Sequence, residues 1–556
     1  MDAWDEARQH LQDPQGRLNI AVAAVDRHVA RGAGERVAFR FVAAEGPLCS
    51  VTYAHLAKLV NRFANVLRAL EVAPGDTVFS FAGRTPEVYV AALGALKAGV
   101  VYSALFANLG EEPVRTRLAK GRARLLVTSG VLYTRWVAAI RPSLPGMQVI
   151  VTGANPPDHT LAWSRLMNEA QDSFEPMPTD PEHPAFLHFT SGTTGSPKGA
   201  VHVHAAALAH YATARSVFNL GADDVYWCTA DPGWVTGISY GLVAPLLHGA
   251  TVVVDGGEFD PARWYRIVQD QRVTVWYTAP TAIRMLMKAG ARLARSFDLS
   301  SLRLVASVGE PLNPEAVRWG RQAFGRDIRD TWWQTETGSI MIATRAGEDV
   351  VLGAVGHAVP GIEAAVARRC PDGGLQFVEA ADQVGELVLR AGWPSMFRAY
   401  LDEPDRYAEC FADGWYLSGD LVCRDSGGRF TFVSRGDDVI KSAGQLIGPS
   451  EVESSLLEHP AVAEAGAIGK PDPLVGEVVK VFVTLKDGFA ADEDLRRDLL
   501  AFARKRLGPA LAPREISFCR TLPKTRSGKI VRRLLRAREL GLPEGDVSSI
   551  EEAGVV

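Results

Sequence analysis

The sequence predicts an α/β protein with more than one domain, and three observations support this prediction. A chain of 556 residues is too long to fold around one compact core. Helix-like and strand-like segments alternate from about residue 50 to 360, as they do when helices connect parallel strands. After Gly361 the strands become shorter and glycine turns separate them, and a further unit opens after Asp437. We therefore expect an α/β fold with a large N-terminal domain (1–434) of parallel-sheet α/β subdomains plus a β-rich subdomain, a hinge (435–437), and a small mobile α+β C-terminal domain (438–556).

Consecutive segments in the middle of the chain illustrate the predicted parallel sheet. Residues 251–254 have the composition of a buried strand, residues 261–271 of a helix, and residues 273–277 of the next strand. Asn313 followed by Pro314 predicts a helix start, because asparagine caps free N–H groups and proline fits the first helical position.

The later part of the chain has a different pattern. Residues 384–389 and 427–433 are short strand-like segments beside glycine turns. Beyond the predicted hinge, a helix is expected near residues 450–458 and a strand at residues 478–484. Gly436 lies in the hinge itself, where the absence of a side chain leaves the backbone free to rotate.

Composition excludes several classes of protein. Hydrophobic residues make up 47% and charged residues 22% of the chain, and the net charge of −4 argues against a nucleic-acid-binding protein. No apolar run approaches the roughly 18 to 20 residues of a membrane span, and the first residues lack the basic and apolar regions of a signal peptide. We expect a cytoplasmic protein without a membrane or nucleic-acid partner. The six cysteines are scattered without a C-x-x-C pair, so neither a zinc site nor a disulfide framework is expected.

A loop at residues 188–200 (HFTSGTTGSPKGA) has the composition of a phosphate-binding turn. Its glycines let backbone N–H groups face an anion, its hydroxyls add donors, and its lysine adds a positive charge. It follows an apolar strand at residues 185–189, and α/β sheets bind ligands at the carboxyl ends of strands. It is not a P-loop, because Pro197 and Gly199 flank the lysine. The candidate phosphate contacts are Thr190, Ser191, Gly192, Thr193, Thr194, Gly195 and Lys198.

A second segment, residues 330–338 (DTWWQTETG), combines aromatic and oxygen-bearing side chains. Trp332 and Trp333 offer flat apolar surfaces for a base or a small acyl group. Thr335 and Glu336 carry oxygens suited to phosphate contacts and to Mg²⁺, a hard cation. Convergent polar groups beside aromatics are typical of a binding site rather than of a core.

A third segment, residues 522–530 (LPKTRSGKI), is a basic loop that precedes an arginine-rich amphipathic stretch. Taken alone, it is more typical of a solvated basic surface than of a site.

The order and spacing of the motifs resemble the adenylate-forming superfamily over nearly the whole chain. That superfamily includes acyl-CoA synthetases, the adenylation domains of peptide synthetases and firefly luciferases. The segments that carry the resemblance are residues 188–200, 330–338, 415–420 (WYLSGD), 435–438 (RGDD) and 522–530.

Within the superfamily, the chain is similar to the AMP-forming acetyl-CoA synthetases, a short-chain acyl-CoA synthetase family. Residues 18–20 (LNI), 26–28 (DRH), 228–237 (CTADPGWVTG), 308–311 (VGEP) and 330–336 (DTWWQTE) carry this similarity. The resemblance implies ATP-dependent ligation of acetate, or another very short carboxylic acid, to coenzyme A through an acyl-adenylate, with release of AMP and pyrophosphate. ATP, Mg²⁺ and CoA are the implied cofactors and substrates.

The resemblance also implies residue roles. Lys529 would bridge the carboxylate and the α-phosphate during adenylation, while Glu336 and Thr335 would hold Mg²⁺. Asp420 would bind the ribose hydroxyls with the help of Arg435. The remaining nucleotide contacts would be Gly309, Glu310, Pro311, Asp330, Thr331, Trp332 and Gln334. The acyl pocket would consist of Val235, Thr236, Val308 and Trp333, which favours acetate over propionate.

For thioester formation, the resemblance implies rotation of the C-terminal domain about Asp437. Ala443 and Gly444 would then lie along the pantetheine path, and Arg504 would contact a CoA phosphate. The sequence departs from the family here, since Ala443 stands where serine is usual and Leu446 where an arginine would contact the nucleotide phosphate. The departure affects the expected strength of nucleotide binding and the thioester step.

Alternatives remain open from the sequence. The chain could ligate a different short or branched acid, load a separate carrier protein, or act as a non-catalytic nucleotide sensor, although retention of Lys529 and Glu336 argues against the sensor. The resemblance makes Lys529 a candidate target of a lysine acetyltransferase and deacetylase. A monomer and a homo-oligomer are both compatible with the sequence.

Overall fold

The computed structural model describes residues 3–190, 197–442, 445–473, 475–525, 530–544, 547 and 550–551. The strands up to the predicted hinge are β1 (Val37–Val42), β2 (Cys49–Thr52), β3 (Thr77–Phe81), β4 (Val101–Leu105), β5 (Ala123–Ser129), β6 (Gln148–Thr152), β7 (Leu161–Ala162), β8 (Pro184–Thr190), β9 (Lys198–Val203), β10 (Val225–Cys228), β11 (Thr251–Asp255), β12 (Val275–Thr278), β13 (Leu304–Ser307), β14 (Ile328–Trp332), β15 (Ile342–Ala343), β16 (His357–Ala358), β17 (Ala364–Arg369), β18 (Leu375–Phe377), β19 (Gly385–Arg390), β20 (Ala399–Tyr400), β21 (Phe411–Ala412), β22 (Trp415–Arg424) and β23 (Phe430–Arg435). Those beyond it are β24 (Ile440–Ser442), β25 (Gln445–Ile447), β26 (Val462–Asp472), β27 (Gly476–Leu485), β28 (Glu515–Phe518), β29 (Lys524–Thr525) and β30 (Ile550–Glu551).

The α-helices are α1 (Asp5–Leu11), α2 (Arg27–Ala30), α3 (Tyr53–Ala69), α4 (Pro86–Lys97), α5 (Glu111–Lys120), α6 (Gly130–Leu132), α7 (Ala138–Ile140), α8 (Trp163–Glu169), α9 (Ala206–Phe218), α10 (Val235–Ile238), α11 (Ala244–Leu247), α12 (Pro261–Gln271), α13 (Pro280–Ala289), α14 (Ala291–Ala294), α15 (Pro314–Phe324), α16 (Pro404–Ala408), α17 (Pro449–Leu457), α18 (Glu493–Leu511) and α19 (Arg532–Leu540). Short π-helical turns at Val22–Asp26, Tyr133–Val137 and Ser239–Val243 and a 3-10 turn at Arg141–Ser143 complete the helical segments of the described chain.

Two α/β sheets form most of the N-terminal part. One has the strand order β20-β9-β8-β4-β3-β5-β6-β7, and the other has the order β16-β15-β14-β13-β12-β10-β11-β1-β2. Their central strands pair in parallel, whereas strands at the edges, such as β2 and β16, and β9, next to the edge strand β20, pair antiparallel. The parallel α/β arrangement predicted from the sequence is therefore confirmed, with mixed sheet edges in addition.

The local signals behind that prediction are visible in the structure. Helix α12 covers the predicted residues 261–271, and the Asp260 side chain accepts a hydrogen bond from Arg263 N at 2.7 Å. Asn313 caps α15 in the same way, through a 3.0 Å bond from Ala316 N. Both caps satisfy N–H groups that a helix start leaves free.

A β-rich unit follows, with the strand order β18-β17-β19-β22-β21 and β23 paired to β22. Strand β23 begins at Phe430, later than the predicted residue 427. The reason is a turn in which the Asp425 side chain accepts a hydrogen bond from Arg429 N at 2.8 Å and Gly428 N donates to Asp425 O at 3.0 Å.

Beyond Arg435 the chain enters a separate sheet with the order β25-β24-β27-β26 and β28 paired to β27. Helices α17 and α18 pack on this sheet over apolar residues such as Val452, Val481 and Leu499. Gly436 to Asp438 form the turn between β23 and β24. The chain thus passes from the β-rich sheet to the C-terminal sheet where the hinge is predicted.

Aromatic side chains fill the space beside the nine-stranded sheet. Trp227 and Trp276 lie on neighbouring strands and stack with ring centroids 5.4 Å apart and an interplanar angle of 7°. Burial of such large rings supplies much of the hydrophobic stabilisation of a domain. Within the described residues, no helix has both the length and the apolar character needed to cross a membrane.

Candidate active site

A cavity of about 440 Å³ lies where the two α/β sheets, the β-rich sheet and the C-terminal unit meet. The two α/β sheets contribute the carboxyl ends of β8, β13 and β14, the usual ligand position in such sheets. The described candidate residues that line the cavity are Thr190, Lys198, Val235, Thr236, Val308, Gly309, Glu310, Pro311, Asp330, Thr331, Trp332, Trp333, Gln334, Thr335, Glu336, Asp420 and Arg435. Among these candidates, side chains separated by up to 245 positions in the sequence therefore line the same cavity, as Thr190 and Arg435 do.

Asp330 lies in the middle of β14, and its side chain contacts the neighbouring strand β13. Its buried carboxylate accepts hydrogen bonds from Ser307 Oγ at 2.7 Å, from Thr331 N at 2.9 Å and from Leu312 N at 3.2 Å. Burial raises the pKa of Asp330 to about 6, against the effect of these donors. The contact with Leu312 N fixes the end of the loop that precedes α15.

That loop carries three of the predicted nucleotide contacts, Gly309, Glu310 and Pro311. Gly309 has a φ of +93°, a conformation that side chains with a Cβ rarely adopt, so glycine is required at this turn. The Glu310 carboxylate is held by Thr281 Oγ1 at 2.6 Å and by Arg284 Nη2 at 2.5 Å. The loop backbone is therefore fixed from both ends before any ligand binds.

Asp420 lies in the middle of β22 and is 4% exposed. Its Oδ2 accepts hydrogen bonds from Trp332 Nε1 at 2.8 Å and from Gln334 Nε2 at 3.1 Å. Arg435 Nε lies 3.4 Å from Asp420 Oδ1 and 3.3 Å from Asp437 Oδ1. Burial alone would lower the pKa of Arg435, but these two carboxylates raise it. The arrangement holds a carboxylate and a guanidinium at the cavity wall, where they can bind hydroxyl groups.

Trp333 closes another end of the cavity together with Val235, Thr236 and Val308. Its indole N–H donates to the Tyr277 hydroxyl at 3.1 Å, and its ring makes an edge contact with Tyr240 at a centroid distance of 5.2 Å. The side chain is 8% exposed. This end of the cavity is therefore bounded by a buried indole that is hydrogen-bonded to one tyrosine and packed on another.

The segment at residues 228–237, which carries Val235 and Thr236, depends on a close backbone contact. A Cβ on Gly237 would lie 2.1 Å from Asp231 O, so glycine is required there.

The phosphate-loop residues Thr190 and Lys198 are paired on the antiparallel strands β8 and β9. Burial lowers the pKa of Lys198, whose ammonium lies over the Tyr400 ring at 5.3 Å from the centroid. Glu336 accepts a hydrogen bond from the Tyr400 hydroxyl at 2.6 Å. The Glu336 carboxylate and the Thr335 hydroxyl supply oxygen atoms to the cavity, a donor set that fits Mg²⁺.

Some candidate residues lie elsewhere. Arg504 is exposed on α18, and Asp437 is exposed in the turn after β23; neither lines the cavity. Ser191, Gly192, Thr193, Thr194, Gly195, Ala443, Gly444 and Lys529 lie outside the described residues, as does the side chain of Leu446.

The structure also adds cavity residues that the sequence reasoning missed, among them Phe106, Arg117, His188, Trp234 and Arg532. His188 lies in the phosphate-loop segment, two residues before Thr190. This proximity in the sequence is the feature that could have predicted its place in the cavity.

Arg532 comes from the C-terminal unit. It pairs with Glu453 at 2.6 Å and with Asp438 at 3.3 Å. Burial would lower the pKa of Arg532, and the two carboxylates raise it well above its usual range. No sequence signal separates it from the neighbouring arginines of α19.

Comparisons with known proteins agree with this geometry. Residues 25–401 match the model of the family described as AMP-binding enzyme, and residues 451–529 match that of the AMP-binding enzyme C-terminal domain. The chain is 43% identical to the acetyl-coenzyme A synthetase of Bacillus subtilis (strain 168), over 97% of this chain and 93% of that protein.

Solved structures give the same result. A Brucella canis acyl-CoA synthetase superposes with a TM-score of 0.74 at 33% identity, covering 97% of each chain. An acetoacetyl-CoA synthetase from Streptomyces lividans superposes with a TM-score of 0.85 at 26% identity, covering 96% of this chain and 85% of that one. The chain belongs to the AMP-binding enzyme family, within the group that contains the acetyl-coenzyme A synthetases.

Proposed function

We propose that this chain is an ATP-dependent acid–thiol ligase that joins acetate, or another very short carboxylic acid, to coenzyme A through an acyl-adenylate. AMP and pyrophosphate are the other products. The observation that carries the proposal is that one cavity combines Asp420, the Gly309 loop and Lys198 with Trp333, Val235, Thr236 and Val308. The names of the similar proteins support the same activity.

The chemistry explains why such a cavity is needed. A carboxylate is a poor electrophile, so one of its oxygens first attacks the α-phosphorus of ATP, forming a mixed anhydride and releasing pyrophosphate. The CoA sulfur then attacks the anhydride carbonyl and AMP leaves. In the first step two anions must approach, so the protein must neutralise charge and hold both reactants in line.

The residues are assigned to four tasks. Asp420 and Arg435 bind the ribose hydroxyls, and the Gly309 loop with Asp330 and Trp332 holds the adenine. Thr190, Lys198 and the intervening loop bind the phosphates. Lys529 approaches from the C-terminal unit to bridge the carboxylate and the α-phosphate.

Glu336 and Thr335 are the proposed protein ligands of Mg²⁺. When bound, Mg²⁺ would neutralise part of the phosphate charge. CoA contacts through Ala443, Gly444 and Arg504 stay predictions from the sequence.

The proposed acyl pocket determines which class of acid the protein accepts. Trp333, Val235, Thr236 and Val308 line the cavity and form the proposed acyl pocket, which we expect to accept a very short chain. Because one methylene is worth only about 1 to 3 kcal/mol of discrimination, we expect a preference for acetate over propionate and not an absolute choice.

Assays of the purified protein with C2 to C8 acids test the proposal. We expect acid-dependent ATP–pyrophosphate exchange without CoA, and AMP formation with CoA, both largest for acetate. Activity peaking on a longer or branched acid would assign a different substrate. Exchange without CoA-dependent thioester formation would favour loading of a carrier protein, and the absence of exchange with every acid would overturn the proposal.

A further inference from the structure

Tyr400 lies between the two charged groups at the phosphate end of the cavity. Its hydroxyl donates to Glu336 Oε1 at 2.6 Å, and its ring faces the ammonium of Lys198 at 5.3 Å. The residue is 4% exposed and does not itself line the cavity. It therefore contacts both charged groups from behind the surface that a ligand would meet.

The backbone fixes the position of this tyrosine. Strand β20 pairs with β9, with Tyr400 opposite Ala200, and Leu401 N donates to Gly199 O at 2.8 Å. Three residues earlier, Phe397 N donates to Glu336 O at 2.9 Å. The segment at residues 397–401, which contains β20, thus connects the base of the phosphate loop with the backbone of Glu336.

Each of the two contacts that Tyr400 makes, one through its hydroxyl and one through its ring, can orient a charged side chain. A hydrogen bond to one carboxylate oxygen restricts rotation of the Glu336 carboxylate, and Oε1 is the oxygen that Tyr400 holds. An ammonium within about 6 Å of an aromatic ring centroid is attracted by the ring, so Lys198 is also held in place.

We propose that Tyr400 is a positioning residue that fixes the Glu336 carboxylate for the divalent cation and aligns it with the Lys198 ammonium. The inference rests on the proposed function, because it takes Glu336 as a ligand of that cation. Groups that hydrogen-bond to metal-binding carboxylates commonly change metal affinity by about 10- to 100-fold when they are removed. The Tyr400 hydroxyl is expected to act in this way without touching the substrate.

Tyr400→Phe tests the inference, because it removes the hydroxyl and keeps the ring over Lys198. Mn²⁺ serves as the probe, titrated into the full chain with a non-hydrolysable ATP analogue, and free Mn²⁺ is measured by electron paramagnetic resonance. The dissociation constant of Mn²⁺ should rise about 10-fold or more in the variant. The KM for acetate at saturating Mg²⁺ should stay close to that of the wild type.

Tyr407→Phe is the matched control. The Tyr407 ring packs on Phe397 at the same 4.9 Å centroid distance as the Tyr400 ring, and its hydroxyl points to Phe397 O at 3.5 Å rather than to Glu336. This control should bind Mn²⁺ like the wild type. Thermal melts of both variants report whether either one is misfolded.

Three outcomes would contradict the inference. An unchanged Mn²⁺ constant in Tyr400→Phe overturns it alone, with the proposed function intact. Equal weakening in Tyr400→Phe and Tyr407→Phe would show a general packing effect and also overturn it. Failure of the wild-type protein to bind Mn²⁺ with the nucleotide analogue would remove the metal assignment of Glu336, and this failure is visible before any variant is measured.

Discussion

The two walls of the cavity are held in different ways. On the wall from the N-terminal part, Asp330 accepts three hydrogen bonds, Trp332 donates to Asp420 at 2.8 Å and Trp333 donates to Tyr277 at 3.1 Å. These bonds connect different strands of two sheets, so hydrogen bonds within the protein fix this wall and no ligand contributes to them.

The wall from the C-terminal unit consists of Pro449, Ser450 and Arg532. Its chain connection to the rest of the cavity is the exposed turn at 436–438. We therefore expect the fixed wall to recognise the substrates, and the wall attached through one turn to be the part that moves between two steps of a reaction.

The largest effect is expected for Lys529→Ala, which removes the charge that the C-terminal unit is proposed to deliver. Pyrophosphate exchange should fall about 100- to 1000-fold, the typical cost of losing one group that stabilises transition-state charge. Thioester formation from supplied acetyl-adenylate should remain largely intact, because in that step the CoA sulfur attacks the acyl carbonyl carbon and not a phosphorus atom surrounded by phosphate charge. Exchange and thioester rates measured separately check this.

Lys505→Ala is a suitable control, since Lys505 is an exposed lysine on α18 of the same unit. Acetylation of Lys529 should act like the alanine substitution, because it removes the charge. Near-normal exchange in Lys529→Ala, or in protein shown by mass spectrometry to be fully acetylated there, would refute the assignment.

The next effect concerns the stability of the fixed wall. The pKa of Asp330 is about 6 in the folded protein, so between about pH 4 and 6 the folded chain binds more protons here than the unfolded chain. The contribution of Asp330 to the free energy of unfolding is fully present below about pH 4, and it is lost as the pH rises through about 6. The shift of roughly two units corresponds to up to about 3 kcal/mol. Asp330→Asn should abolish this fall, as measured by denaturant unfolding of the ligand-free protein between pH 4 and 7.

Asp224→Asn is the control, because the pKa of Asp224 is shifted in the opposite direction to that of Asp330. Burial would raise the pKa of Asp224, but its hydrogen bonds, including that from Arg303 Nη2 at 2.7 Å, lower it. Its stabilisation is present at neutral pH and is lost as the pH falls. Identical pH profiles for wild type and Asp330→Asn would contradict the assignment of the raised pKa.

Trp333→Gly tests whether the fixed wall sets substrate size. Removal of the indole opens space for several methylenes, each worth about 0.8 kcal/mol when buried, so three would shift the preference by about 2.4 kcal/mol, or roughly fifty-fold. Acetate should become a poor substrate and C5 to C6 acids good ones. Specificity constants across the acid series, measured beside a thermal melt, check the prediction.

Trp319→Ala is the control, because Trp319 has the same 8% exposure but does not line the cavity. It should lower the melting temperature without changing the preference for chain length. Trp333 also packs on Tyr240 and Tyr277, so its loss should cost stability as well, about 3 to 5 kcal/mol for a cavity of this size. A lower melting temperature with an unchanged preference would show that Trp333 is only a core residue.

The two walls also differ in how far the sequence predicted them. The caps at Asp260 and Asn313 and the parallel strands around them follow from local signals, and the structure confirms them. The motif residues Trp332, Glu336 and Asp420 could be proposed because they stand in short segments of distinctive composition.

Contacts between distant segments could not be predicted in the same way. Arg532 reaches Glu453 and Asp438, and Tyr400 reaches Glu336, only because the folded sheets bring these residues together. Neither residue stands out locally, since one lies in an arginine-rich helix and the other in an ordinary edge strand. Pairing of this kind depends on tertiary packing, which composition and spacing do not encode.

The smallest effect is expected at the connection between the walls. Asp437→Pro fixes φ near −65° in the turn, while the hydrogen bonds from Gly436 N, Asp438 N and Val439 N can remain because none of them uses the nitrogen of residue 437. If the C-terminal unit must rotate here between the two steps, the variant is held in one orientation, which we expect to be the adenylating one.

Acetyl-adenylate should then accumulate in Asp437→Pro while acetyl-CoA output falls about tenfold, equivalent to about 1.4 kcal/mol of barrier. Asp437→Ala is the control that distinguishes the effect of fixing φ from the effect of losing the carboxylate. It removes the contact with Arg435 but leaves φ free. Both half-reactions of this variant should stay near wild-type rates. Equal losses of both half-reactions in the proline variant would place the rotation elsewhere in the chain.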